Sequence, residues 1–365
     1  MRTIWLMLIV EFGSILLAGC RPAGREASYT EALLLVYDPP LIYWLDTREA
    51  QPLPWIEEDR QRIYPGGWTP DGGHLWWVSN ADNGPAIWLS DPCGQSPPTK
   101  AFDPTAYPDF RFDRVAYGWL DDHTLFLNGQ QRHTPEKREG VWRFDLTTGQ
   151  LTLWQPGYAM DRAFSRHVAL LWHPEEGFRL WAWGKFYPMP PGLTLRYDGT
   201  VHVSPDERWL LWREESGWYV VPLDAEAGPR FDRRRNVPTE GQFVSWVSGG
   251  SLLIFYSTES LSNEQVRYIF YVIDPQEGTV KRTVSFASPR IRTWPTFTLG
   301  PSGDRVALDA VDLQNPAHTY AYIEVWDLVS GERQRIYETP RGILTVRDWA
   351  LVDVGACLHS PQEAP

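Results

Sequence analysis

Cysteine is scarce in this chain, with three in 365 residues, at positions 20, 93 and 357. None has another cysteine or a histidine at the spacing of a zinc motif, so no metal site is signalled. Positive charge is also short: 34 Lys and Arg against 46 Asp and Glu leave a net charge of −12 and a pI near 5.2. Nucleic acid is excluded as a partner, because its affinity comes from Lys and Arg neutralising phosphates. A basic contact with anionic lipid is excluded on the same ground. After the first twenty residues, no run approaches the roughly twenty apolar residues that a membrane-spanning helix needs. The chain also lacks a Gly-x-Ser-x-Gly elbow, a His-Glu-x-x-His pair and a Gly-Lys-Ser/Thr phosphate loop. Its eight histidines are scattered, and His74, His123 and His167 fall in or just after turns, where surface histidines are common. No cofactor is expected.

Aromatics and turn formers are abundant: 20 Trp, 16 Tyr, 15 Phe, 29 Gly and 31 Pro. That mixture favours many short strands and tight turns over helices.

The N-terminus begins with Arg2, continues as an apolar run over residues 4–17 and exits through Leu17-Ala18-Gly19-Cys20. A positive start, an apolar core and a small-residue exit make a secretory signal. The last four residues resemble a bacterial lipobox, which implies cleavage before Cys20 and lipidation of that cysteine. Each buried acyl methylene contributes roughly 0.8 kcal/mol, so several chains hold a protein to a bilayer. Glu11 interrupts the apolar run. The expected organisation is a signal peptide over 1–19, a lipidated Cys20 with a polar tether over 20–30, a folded body over 31–355 and a tail over 356–365. The expected location is extracytoplasmic, on a membrane that the motif does not identify. With Cys20 lipidated, Cys93 and Cys357 remain as an even pair, either disulfide-bonded or as two free thiols.

One unit recurs along the body: an apolar anchor, a turn rich in Ser, Pro, Asp and Gly, then an apolar strand. It appears as Trp68-Thr69-Pro70-Asp71-Gly72 before Leu75-Trp76-Trp77-Val78, and again after Trp119, Phe164, Val203, Trp246 and Leu299. A second unit, Asp145-Leu146-Thr147-Thr148-Gly149, joins two strands and returns at 274–278 and 327–331. The anchors fall roughly 39 to 53 residues apart, the period of a four-stranded propeller blade. Residues 32–37, 41–45 and 53–56 read as three strands without an anchor, and 343–352 as an anchor strand without a blade. The expected fold is therefore all-β: a β-propeller of seven four-stranded blades, closed by pairing the C-terminal strand with the N-terminal three. Six or eight blades stay open, because the fourth repeat is short and the linker over 224–241 is long.

The turns Thr69-Pro70-Asp71-Gly72 and Ser204-Pro205-Asp206 resemble those of TolB-type and WD-type propeller repeats, with Trp326-Asp327 the single Trp-Asp pair of this kind. Residues 69–76 also fit one sialidase-type Asp box, which a tight turn before a Trp-rich strand produces unaided.

Loops that enter the innermost strands share one propeller face with the loops joining second and third strands. On that face the expected docking surface comprises Asp109, Arg111, Asp113, Arg114, Asp161, Arg162, Arg290, Arg292, Trp294 and Arg347. No catalytic residue is expected. The leading expectation is a non-catalytic, lipid-anchored scaffold that binds another protein of the cell envelope. The alternative is a cell-surface propeller that binds or processes a glycan, marked by aromatics on the channel mouth and two carboxylates facing across it.

Overall fold

The computed structural model describes residues 29–36, 40–53, 63–81, 84–121, 123–131, 138–190, 201–262, 265–289, 296–312, 320–339 and 344–354. Its strands form seven antiparallel sheets, each following the order innermost to outermost, and together they make a seven-bladed β-propeller. Blade one is composite. Its innermost strand, Thr345–Asp353, pairs with Tyr29–Val36, which is followed by Leu41–Trp44 and Glu49–Pro52. The last strand of the ring thus joins the first, which removes the open edge of an unclosed sheet.

The innermost strands of blades two to seven are Ile63–Trp68, Phe110–Asp121, Ala159–Phe164, Val201–Val203, Gln242–Trp246 and Phe297–Leu299. The anchors occupy equivalent registers. Trp68, Trp119, Phe164, Val203, Trp246 and Leu299 face Leu75, Leu125, Ala169, Leu210, Leu253 and Val306 on the next strand. In blade one, Trp349 faces Leu33 in the same way. The fourth and fifth repeats are full blades; short hairpins, rather than a missing strand, make the fourth compact.

Local chemistry explains both recurrent turns. In the first, a hydroxyl two residues before an aspartate donates to its carboxylate: Thr69 to Asp71 at 2.6 Å, Ser204 to Asp206 at 2.6 Å, and Ser302 to Asp304. In the second, one carboxylate oxygen accepts two backbone N–H groups of the turn. Asp145 takes those of Thr147 and Thr148, Asp274 those of Gln276 and Glu277, and Asp327 those of Val329 and Ser330. Asp224 does the same with Glu226 and Ala227, so part of the long linker is a fourth hairpin of this type. Such side-chain bonds offer the backbone a turn in place of a continuing strand.

Stability resides between the blades. Trp326 is fully buried, with Phe286 at 4.7 Å, Tyr268 at 5.4 Å and Phe297 at 5.9 Å between ring centroids. Blades six and seven are joined through this cluster. The indole N–H of Trp326 is satisfied by Glu324 at 2.8 Å, which lets a polar atom stay in the core. The abundant tryptophans of the strands are therefore largely packing residues. At the closure seam, Glu31 accepts from the indole of Trp349 at 2.9 Å and from Arg305, whose guanidinium lies 5.5 Å over the Trp349 ring.

Candidate functional site

Seven of the ten expected docking residues lie on the described innermost strands or just before them. Asp109 and Arg111 are exposed where blade three begins, and Arg347 is exposed near the start of Thr345–Asp353. Arg347 Nε donates to the backbone oxygen of Gly66 at 3.2 Å, so this side chain ties blade one to blade two. Asp113 and Arg114 lie on Phe110–Asp121, and Asp161 and Arg162 on Ala159–Phe164. Arg290, Arg292, Trp294, Cys20 and Cys357 lie outside the described residues, as does the whole signal segment. Cys93 is 2% exposed and disulfide-bonded, with its partner outside the described residues.

A cavity of about 500 Å³ opens at the opposite ends of these strands, where blades one, two and seven meet. None of the ten docking residues lines it. Its walls are Tyr29, the turn from Trp68 to Gly72, Pro301 and the stretch from Asp348 to Leu351. Ring closure assembles it: Tyr29 pairs with Asp353, and the blade-two turn rests against the backbone of Leu351 and Val352. Tyr29 is 58% exposed and Leu351 46%, which gives the cavity an apolar rim. Trp68 and Trp349 are buried in its wall at 5% each. The Trp68 indole N–H has no partner among the described residues.

Two carboxylates line this space, and their environments differ. Asp348 sits in the middle of the closing strand and reaches across to blade two. One oxygen accepts from Trp68 N at 2.7 Å and the other from Trp349 N at 2.8 Å. Gly67 makes room for this reach: a Cβ there would stand 2.5 Å from the Asp348 carboxylate. Burial pushes the Asp348 carboxyl above the usual carboxylate range, against the opposing effect of those two N–H groups and of Arg347. For Asp71, burial also raises the value. The Thr69 hydroxyl and the Gly73 N–H outweigh it, with His74 nearby, and hold this carboxyl below the usual range. One acid therefore keeps its proton more readily than the other, a division of labour that acid–base chemistry uses.

Sequence reasoning named Trp68 and Trp349 as lying near the innermost strands but missed Asp348, the residue between Arg347 and Trp349. A carboxylate in the interior of the closing strand, directly before Trp349, was the available signal. Among the described residues, no group of three or more His, Cys, Asp or Glu is placed to hold a metal ion. Nor is any helix among them long and apolar enough to cross a membrane.

No protein-family model matches this chain, and no curated protein matches it in sequence. Solved structures do match. An oligogalacturonate lyase in complex with manganese is 16% identical with a TM-score of 0.51, over 85% of this chain and 84% of that one. Dihydro-heme d1 dehydrogenase NirN in complex with DHE is 18% identical with a TM-score of 0.42, over 91% and 77%. A putative TolB from Agrobacterium tumefaciens is 12% identical with a TM-score of 0.36, over 87% and 91%.

The likeness to the lyase corrects the expectation of a non-catalytic scaffold without enzymatic activity. The fold shared here is the body of an enzyme in oligogalacturonate lyase, so a propeller gives no ground for excluding catalysis. The described residues also form a pocket with two carboxyl groups and aromatic walls. The manganese of that lyase is not carried over, because the described residues offer no matching ligand cluster. At these identities the comparisons establish the fold, and the chain is a seven-bladed β-propeller with a TolB-like structural neighbour.

Proposed function

We propose that this chain is a glycan-processing propeller whose site is the cavity at the ring-closure seam. The observation that carries the reading is the pair of carboxylates in that cavity, one held above and one below the usual range. A sugar ring presents an apolar face and polar edges. The exposed Tyr29 ring and Leu351 offer an apolar surface for the face, and Asp71, Asp348 and Thr69 offer acceptors for the edges.

In this mechanism Asp348 keeps its proton at pH values where an ordinary carboxyl has lost it, and gives it to the glycosidic oxygen as that bond breaks. Asp71, ionised, stabilises the positive charge that develops on the sugar ring, and a water from solvent then adds to the anomeric carbon and returns its proton to Asp348. The ring-closed scaffold fixes both groups before the substrate arrives, which limits the ordering entropy lost on binding. Placement outside the cytoplasm, by a lipid on Cys20, belongs to the same proposal and would bring the enzyme to envelope glycans.

Fluorescence titration with neutral and charged oligosaccharides tests the site, because Trp68 and Trp349 line it. The expected result is saturable binding that Tyr29→Ala weakens about tenfold, the equivalent of about 1.4 kcal/mol. Tyr29 is exposed, so its removal leaves the fold intact. Equal affinity in the wild type and in both Tyr29→Ala and Asp348→Asn would overturn the assignment of the site.

A further inference from the structure

The charges around the cavity restrict which sugar it can take. Among the described residues, its lining holds two carboxylic acids and no Lys, Arg or His. The nearest cations among the described residues stand outside that lining. Arg347 donates to Gly66 O on blade two, and Arg305 is paired with Glu31, which also accepts from Trp349. His74 is exposed at the far end of the Asp71 turn. An anionic sugar would therefore meet the ionised Asp71 with no cation in the described lining, and like charges brought together repel.

Neutral sugars avoid that repulsion but bring no positive group to Asp71. An ammonium group supplies one, since charge-assisted bonds to carboxylates are about twice as strong as neutral ones. The aromatic rim suits the same cation, which is drawn to the face of a Tyr or Trp ring. We infer that the cavity is selective for amino sugars, the ammonium group being taken by the Asp71 carboxylate while Tyr29 covers the ring. This selectivity rests on the glycan reading above and narrows it: polyuronates, although bound by a protein of the same fold, are excluded here.

Three tetramers of matched length test the inference by isothermal titration near pH 6: glucosamine with free amines, its N-acetylated form, and galacturonate. The amine form is expected to bind at least about tenfold tighter than the N-acetylated form. Galacturonate is expected to give no measurable heat, and the advantage of the amine should shrink as salt rises. Leu351→Lys adds a cation at the exposed rim and should reverse the order, weakening the amine form and admitting galacturonate. Because the position is surface-exposed, folding does not confound that variant. N-acetylated or galacturonate tetramers binding as tightly as the amine form would overturn the selectivity and leave the glycan site standing. Absence of binding by all three would refute the glycan reading itself.

Discussion

Gly72 and Gly331 offer a controlled test of how the ring closes over the cavity. Both have left-handed backbone angles, φ +69° and +76°, so alanine at either position pays the same conformational penalty of about 1 kcal/mol. Their surroundings differ. A Cβ on Gly331 meets nothing within 4 Å, whereas one on Gly72 would lie 2.2 Å from the backbone oxygen of Leu351. The blade-two turn would have to retreat from the closing strand by about 1 Å to restore ordinary contact. Overpacking of this kind costs typically about 1–3 kcal/mol. Gly331→Ala should therefore lower stability by about 1 kcal/mol and Gly72→Ala by about 2–4 kcal/mol. Urea denaturation followed by tryptophan fluorescence measures both, with unchanged slopes showing that stability alone has moved. Equal losses in the two variants would refute the seating of the turn on the closing strand, and with it the construction of the cavity wall.

Other expectations follow from the same contacts. Trp326→Ala should cost about 3–5 kcal/mol in the same assay, because the fully buried ring joins blades six and seven. Non-reducing peptide mapping should recover Cys93 linked to Cys357; a link to Cys20 would contradict lipidation of that residue. Stability should respond to pH with opposite signs at two kinds of aspartate. Asp145, Asp224 and Asp327 are held below the usual range, chiefly by the backbone N–H groups of Thr148, Ala227 and Ser330. Their contribution is present above the unfolded value of 3.8 and is lost as pH falls through the lower folded values. Asp348 is raised, so its contribution is present below 3.8 and lost as pH rises through its folded value. The stability of the wild type relative to Asp348→Asn should accordingly be greatest in acid and decline towards neutrality.

The blades were legible because their signals are local. An anchor, an Asp-containing turn and a following apolar strand lie within about ten residues, and tight-turn chemistry has few solutions. The same spacing was present in the linker, where Asp224 and Gly228 repeat the relation of Asp145 to Gly149, but irregular flanking sequence masked it. The Trp-Asp pair at 326–327 also divides cleanly: Trp326 packs between blades and Asp327 caps a hairpin. The cavity was not legible, because its walls come from positions 29, 68–72, 301 and 348–351. Only closure of the ring brings these together, and no window of sequence contains them. Attention to charged entering loops also directed the search to the opposite face. Asp348 escaped notice because the strand pattern treats it as one polar position, whereas its chemistry depends on Gly67 and Trp68, about 280 residues away.

The most direct test of the central claim is release of new reducing ends from amino-sugar polymers, followed across pH for the wild type and Asp348→Asn. The account predicts cleavage by the wild type that declines as pH rises and Asp348 loses its proton. It also predicts a loss of at least about a hundredfold in the variant, the usual contribution of a positioned general acid. Cleavage by Asp348→Asn at the wild-type rate, or no cleavage of any glycan that binds, would contradict it.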